Sequence, residues 1–295
     1  MSLKIALPSK DLEEPTVELL KATRIKIHHS KPRNSHVKIS GLRGIQRGAF
    51  MRSADVAEFV GAGAYDVGIT TNEVIAEYGR KVVVCANLGF SRNGRQTKVV
   101  LFAHQRSGIR GLKDIPRGTT VRTEFPRLTR AFFRRYKVLG KVVLVPSRGS
   151  TETHVPCTYP LGVCLTDSGQ TIKDHGLRVI AELMRSDTVL IANRNAYRDP
   201  EKKMIIEDLA SLLVGTVNAR EMRVLKFNMP ITALPRVRKI LPGRKGQSPT
   251  INHLDDGNVA VEYVVLVPEI NDLKPRLKRA GATYILVGRE ESVIP

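Results

Sequence analysis

At 295 residues the chain has room for about two domains, or three if one is small. Its 42% hydrophobic and 26% charged residues are those of a globular protein with a buried core, which excludes a disordered, collagenous or fibrous chain. The charge is the abnormal quantity: 48 Lys and Arg against 28 Asp and Glu leave +20, a balance that attracts polyanions without specifying a fold. Three cysteines (Cys85, Cys157 and Cys164) form no CxxC pair, so no disulfide framework is expected and a reduced cytoplasmic setting is. The apolar run of MSLKIALPSK is too short for a signal peptide. No stretch approaches the about 20 apolar residues of a membrane helix.

Strand-like and helix-like segments alternate through the first half, which predicts an α/β fold with mostly parallel sheets. Residues 3–7 read as a strand ending in Pro8-Ser9-Lys10, and Pro15 opens a helix carrying Val17 and Leu20. Ser53 is the expected N-cap of a helix with Val56, Phe59 and Val60 on one face, stopped by Gly63. Residues 65–70 and 81–85 follow as strands. A second α/β unit starts near Thr97, with strands at 98–104, 119–124, 141–146 and 161–166 and a helix over 127–136 that turns Leu128 and Phe132 inward. Residues 178–192 are apolar enough to cross back into the first unit. From about Thr216 the order is strand 223–228, helix 234–241, strand 250–254, strand 258–268, helix from Ile270 to Leu277, strand 284–287. That is the β-α-β-β-α-β order of a ferredoxin-like domain. Pro275 suits its helix only if Asp272 is the N-cap.

The loop Asp167-Ser168-Gly169-Gln170-Thr171 is the best local site. Glycine permits close backbone approach, Ser168 and Thr171 carry hydroxyls, and the turn behind them presents N–H groups to an anion. Plain Ser/Gly/Thr turns share that composition. Basic residues cluster twice: Lys21 to Arg52 holds nine Lys/Arg and no acid, and Arg106 to Arg148 holds twelve against Asp114 and Glu124. Such runs suit a polyphosphate or a nucleic acid. With 5% aromatic residues and no Trp, stacking on single strands is poorly supplied, and polyphosphate is the better match. His154, Cys157 and Cys164 follow no common zinc spacing and lack a fourth ligand. No G-x-G-x-x-G and no P-loop occurs, which disfavours an ordinary kinase or dinucleotide-binding dehydrogenase.

Several stretches together resemble one family, ATP phosphoribosyltransferase in its long form, the first enzyme of histidine biosynthesis. They are KIALPSK at 4–10, ADVAEFVGAGAYDVGI at 54–69, TEFP at 123–126, GSTE at 149–152, the segments 174–180 and 189–194 (VLIANR), and FNMPITALPRVRKILPGRKGQSPT at 227–250. The likeness implies condensation of ATP with phosphoribosyl pyrophosphate to phosphoribosyl-ATP and pyrophosphate, with Mg²⁺ required. It implies two periplasmic-binding-protein-like α/β domains (1–90 with 180–215, and 91–179) and a C-terminal ferredoxin-like regulatory domain (216–295) that binds histidine as feedback inhibitor. It also implies a cytoplasmic homo-oligomer, dimer to hexamer, with no membrane association. Carried over by position, Asp167, Ser168, Gly169, Gln170 and Thr171 would hold the ribose 5-phosphate, and Glu152 matches the acid that opens the family signature. Lys10, Arg92 and Lys98 would face the ATP or pyrophosphate phosphates. Asn228 and Thr250 match positions near the histidine site.

The chain departs from the family pattern at three places. Asp11-Leu12 follow Pro-Ser-Lys where the family has Gly-Arg, Thr71 replaces a glycine, and Cys164 and Pro160 occupy the positions of two aspartates ahead of Gly169. Asp167 could substitute as a ribose-hydroxyl or Mg²⁺ acceptor, or the site is impaired. The alternative function is therefore a catalytically impaired relative, a sensor of nucleotide or histidine or a basic nucleic-acid-binding protein.

Overall fold

The computed structural model describes residues 2–29, 35–78, 81–89, 97–167, 169–244 and 247–294. They fall into two compact units, Met1–Ala210 and Ser211–Pro295. The first opens with β1 (Leu3–Pro8), a 3₁₀ turn at Lys10–Leu12, α1 (Glu13–Ala22), β2 (Lys26–His29), β3 (His36–Ser40), β4 (Ile45–Met51), α2 (Ser53–Ala62), β5 (Val67–Thr71), α3 (Asn72–Tyr78) and β6 (Val82–Asn87). It continues with β7 (Thr97–His104), β8 (Thr119–Thr123), α4 (Pro126–Arg135), β9 (Val142–Pro146), β10 (Leu161–Thr166), α5 (Gln170–Asp174) and β11 (Leu177–Ser186). Next come β12 (Thr188–Asn193), α6 (Arg194–Arg198) and the long α7 (Pro200–Glu221).

Two mixed sheets result, one of seven strands ordered β2-β3-β4-β1-β5-β12-β6 and one of five ordered β11-β7-β10-β8-β9. The chain leaves the seven-stranded sheet after β6 and returns at β12, the two-lobed arrangement of periplasmic-binding proteins. Central strands are covered on both faces: every residue of β5 and β12 is buried, although β12 is antiparallel to both of its neighbours. α2 lays Val56 and Val60 against Ala6, Val189 and Ile191. It can approach because position 68 is glycine, where a Cβ would stand 2.6 Å from the Val56 side chain. Gly63 ends α2 in the left-handed conformation, φ 84°.

Three sequence expectations change in this unit. Arg52, not Ser53, occupies the N-cap of α2, and Ser53 is its first helical residue. The Ser53 carbonyl instead accepts the Thr70 hydroxyl at 2.8 Å. In α4 the fully buried residues are Thr129 and Phe133, whereas Leu128 and Phe132 flank that core half-buried. Phe133 lies one position beyond Phe132, and two adjacent aromatics cannot both centre on one helical stripe. The segment 178–192 is two strands, β11 and β12, in different sheets. The strands β2 to β4, α3 and α7 carry no clear sequence pattern of their own.

The second unit contains β13 (Met222–Pro230), α8 (Leu234–Ile240), β14 (Thr250–His253), β15 (Asn258–Leu266), α9 (Ile270–Arg279) and β16 (Thr283–Gly288). Its sheet runs β14-β15-β13-β16 with every pair antiparallel, which is the ferredoxin-like order. Leu225, Phe227, Met229, Val259 and Val261 meet Val237, Leu273 and Leu277 of the helices in one core. Thr216, where the sequence rhythm changes, lies inside α7. Glu269 rather than Asp272 precedes α9, and Pro275 sits in the helix interior. Burial of Leu273 and Leu277 against the sheet outweighs the one backbone hydrogen bond that Pro275 cannot donate.

Candidate active site

Ligands of open α/β sheets bind beyond the carboxyl ends of parallel strands, where loops present backbone N–H groups and side chains. In the five-stranded sheet β8 is parallel to both β9 and β10. Their carboxyl ends carry three stretches far apart in sequence: Glu124 after β8, Ser147–Glu152 after β9, and Asp167–Thr171 after β10. The first two stretches are tied together, and the first is also tied to β10 itself. The Glu124 N–H donates to the Val163 carbonyl, and the Thr151 hydroxyl donates to the Glu124 carboxylate at 3.0 Å. Glu152, next to Thr151, is half-buried in a 3₁₀ turn.

In the seven-stranded sheet β1 is parallel to β4 and β5, and their carboxyl ends carry Lys10, Arg52 and Asn72. A cavity of about 250 Å³ is lined by residues 9–12 after β1, 52–54 after β4, Val74, Glu77 and Tyr78 of α3, and Glu124 and Phe125 after β8. Lys10, Asp11, Arg52 and Glu124 bring charge to it. Lys10 holds a left-handed backbone, φ 62°, unusual for a residue with a side chain and found where surrounding structure over-determines a turn. Here Ser9 N–H donates to the Met51 carbonyl at 2.7 Å, and Leu12 is buried on the other side. The Glu77 carboxylate accepts the backbone N–H groups of Arg127 and Leu128 at 2.9–3.1 Å, capping α4 from α3. Arg52 and Glu124 escaped the sequence reading as site residues. The signal for Glu124 was its place in the TEFP segment, and for Arg52 its place at the end of the basic stretch from Lys21.

The loop after β10 is described at Asp167 and from Gly169 onward. Gly169 adopts φ 70°, its N–H donates to the Thr166 hydroxyl at 3.1 Å, and the space around a Cβ at this position is open. Ile172 anchors α5 in a buried cluster with Phe102, Val155 and Cys164. Gln170 donates to the Asp174 carboxylate at 2.6 Å, and the His175 ring bonds the Thr171 carbonyl at 2.8 Å, leaving the exposed Thr171 hydroxyl at the loop surface. Asp167 is exposed beside it. Ser168 and Arg92 lie outside the described residues. Lys98, on β7, pairs with Glu182 of β11 at 2.8 Å, and that hydrogen bond holds the Glu182 carboxyl below its usual range.

Among the described residues no three His, Cys, Asp or Glu side chains converge on a metal position, so His154, Cys157 and Cys164 make no zinc site. Cys164 is instead a buried thiol facing Glu124 and Glu152. Burial first, then those two charges, push its pKa far above the ordinary thiol range. Cys85 is pushed up to about 11, by burial first and then by Glu207. Only Cys157 is exposed. Alkylation of the native protein by iodoacetamide at mildly alkaline pH should therefore label Cys157 alone, because the thiolate is the nucleophile. All three cysteines should react in denaturant. Intact-mass and peptide analysis read the result, and labelling of Cys164 at the rate of Cys157 contradicts its burial.

A family model for ATP phosphoribosyltransferase matches residues 52–215, and the model of the family's C-terminal domain (HisG, C-terminal domain) matches residues 219–289. The ATP phosphoribosyltransferase of Methanothermobacter thermautotrophicus is 36% identical over 308 aligned positions covering 100% of both chains. That of Gemmatimonas aurantiaca is 34% identical over 99% of this chain and 100% of its own. The chain belongs to the ATP phosphoribosyltransferase family. It is a pentosyltransferase of histidine biosynthesis. A solved structure, the ATP phosphoribosyl transferase (HisG:HisZ) complex from Thermotoga maritima, shares the fold at a TM-score of 0.57 and 24% identity, covering 72% of this chain and 98% of that one. No helix among the described residues is long and apolar enough to cross a membrane.

Proposed function

We propose that this ATP phosphoribosyltransferase transfers the phosphoribosyl group of phosphoribosyl pyrophosphate to ATP, using the cavity beside Lys10 and the loop at 167–171 as one site. The observation that supports the reading is that Glu124 lines the cavity beside Lys10 and bonds Thr151, while residues 167–171 follow the neighbouring parallel strand β10. A bond forms between ATP and the anomeric carbon as the bond from that carbon to pyrophosphate breaks. Negative charge therefore develops on the departing oxygen. Lys10 and Arg52 are the cations placed to stabilise it, while Gly169, Gln170 and Thr171 hold the 5-phosphate with Ser168. Glu152 and Asp167 accept hydrogen bonds from the ribose hydroxyls. Lys98 joins the phosphates only by exchanging its partner Glu182. Arg92 is assigned to the same phosphates by resemblance.

The metal is Mg²⁺. It binds through one or two carboxylates and substrate phosphates rather than an all-protein cage, and exposed Asp167 with half-buried Glu152 fits that chemistry. When bound it neutralises pyrophosphate charge. Residues 1–90 with 180–215 and residues 91–179 serve as the two catalytic domains, and residues 216–295 serve as the regulatory one, in a cytoplasmic dimer or hexamer.

The test is incubation with ATP, phosphoribosyl pyrophosphate and Mg²⁺, with phosphoribosyl-ATP followed by chromatography. Absence of product would leave the second reading, an impaired nucleotide or histidine sensor, which Cys164 and Pro160 in place of two acids favour. Thr171→Ala should weaken phosphoribosyl pyrophosphate binding by about 1.5–3 kcal/mol, the range for a hydrogen bond to a charged group. An unchanged dissociation constant with a normal circular dichroism spectrum rejects the loop assignment.

Histidine is the proposed inhibitor, bound on the second unit. Asn228 pairs with Ala260 on β15, and Thr250 pairs with Glu262 two residues along, so both project from the sheet face opposite the helices. At about 4.8 Å per strand and 3.4 Å per residue they stand about 12 Å apart. The Lys226–Glu262 ion pair, 2.9 Å, lies between them. Calorimetry should show histidine binding that Thr250→Ala weakens at least about fivefold, with substrate binding weakened reciprocally. Equal affinity in the variant moves the site elsewhere.

A further inference from the structure

The acid-free stretch from Lys21 to Arg52 contributes only Arg52 to the proposed site, and its described strands β2 to β4 carry Lys26, Lys38 and Arg47 on one sheet face. Register puts His28 opposite Lys38, Lys38 opposite Arg47 and Arg47 opposite Lys4. Residues paired directly across strands project from the same face, so four basic side chains from four strands form a single row. At about 4.8 Å per strand the row spans about 14 Å. Lys26 and His36, two residues from His28 and Lys38 on the same strands, share that face. All six are exposed, whereas Val37, Ile39 and Ile45 turn to the buried side.

α2 covers this face only at Ala6, through Val56 and Val60, and ends at Gly63. Past that end Lys4, His36, Arg47 and Tyr65 surround a cavity of about 250 Å³ that no carboxylate lines. Asp66, beside Lys4, is matched already: its carboxylate accepts the Lys4 N–H and pairs with the Lys202 ammonium at 2.7 Å. Among the described residues Lys4, Lys26, Lys38 and Arg47 form no ion pair.

We propose that this face binds the phosphate backbone of a nucleic-acid duplex without reading its sequence. Charge and shape both select that occupant. A single phosphate would occupy only the cavity at Lys4, His36 and Arg47, whereas Lys38, His28 and Lys26 continue the row beyond it, and a duplex presents one negative charge per about 1.7 Å of axis. Single strands are held by stacking on aromatic platforms, and the cavity lining offers only the Tyr65 ring and the small imidazole of His36. A membrane surface would be met by apolar side chains, and no large one is exposed on β1 to β4 among the described residues. The face is separate from the reaction site: Lys4 to Pro8 alone covers about 13 Å along β1, and Lys10 lies beyond.

The test is fluorescence anisotropy of a labelled DNA duplex of about 20 base pairs with the full chain, titrated between about 50 and about 200 mM NaCl. Four Lys and Arg contacts predict a slope of log K against log salt of about −3.6, at about −0.9 per phosphate neutralised. Lys38→Gln with Arg47→Gln should reduce the slope by about 1.8, and Lys26→Gln alone by about 0.9. The pair Arg130→Gln with Arg134→Gln on α4 should leave the slope unchanged, and equal melting midpoints confirm that each variant is folded. Absence of duplex binding at the lowest salt overturns the proposal. So does a slope that only the α4 pair alters, or binding to phosphatidylserine vesicles in place of the duplex.

Discussion

Lys10→Gly should lower the rate of phosphoribosyl transfer about 10²–10³-fold, the loss typical when one group that stabilises developing charge is removed. The protein should at the same time become no less stable. Lys10 occupies φ 62°, and a left-handed backbone costs a side-chain-bearing residue about 1 kcal/mol that glycine does not incur. The two effects have opposite signs, which separates the role of the charge from any damage to the turn. Lys10→Ala removes the ammonium without relieving the backbone, so it should match the rate loss but not the gain in stability. Single-turnover kinetics and thermal melts of the two variants give the comparison. A rate within about threefold of the parent in both would mean that the ammonium faces no developing charge.

Phe102→Ala should cost the first unit about 3–5 kcal/mol, the range for an aromatic removed from a close-packed core. Phe102 is fully buried on β7, and its ring occupies the space over Gly162 of β10, where a Cβ would come within 2.3 Å of it. No side chain on β10 can fill the void from below. The same ring packs in the cluster that holds Ile172, the anchor of α5 behind the loop at 167–171. The melting transition of this unit should fall by about 10 °C, at about 2–4 °C per kcal/mol for a unit of this size. Phosphoribosyl pyrophosphate affinity should drop with it even though Phe102 touches no ligand. Calorimetric scanning and ligand titration read the two effects. A variant with an unchanged melting point places the ring outside the core.

Reading motifs in chain order was enough to pick out the candidate segments, because each one is local. Pro8-Ser9-Lys10, Thr123–Pro126, Gly149–Glu152 and Asp167–Thr171 are short turns whose glycines, hydroxyls and charges announce themselves wherever they fold. Strands β1, β8 and β10 were legible for a related reason. Buried on both faces or regularly alternating, they carry their pattern within five or six residues. The β-α-β-β-α-β order of the second unit was legible in the same way, since β13 and β15 alternate cleanly against a single core.

Other features had no local signature. The hydrophobic pattern of α7 is spread around the helix and points to no one face, so its 22 residues carried no 3.6-residue period. The hairpin strands β2 to β4 lie among nine cations that mask the alternation of Val37 and Ile39.

By itself, the sequence determined which residues could do chemistry, because side-chain type, turn propensity and charge are properties of a residue and its immediate neighbours. Only the tertiary structure decided which of them act together. Parallel pairing of β8 with β9 and β10 brings Glu124 to Thr151 across 27 positions. The Lys98 ammonium is drawn to Glu182 by antiparallel pairing of β7 with β11, and Cys164 is buried within reach of the charges of Glu124 and Glu152. The physical reason is the same in each case. Strand register is set by burial of whole sheet faces, an energy summed over dozens of apolar groups, and a polar side chain is carried to wherever that sum places its strand.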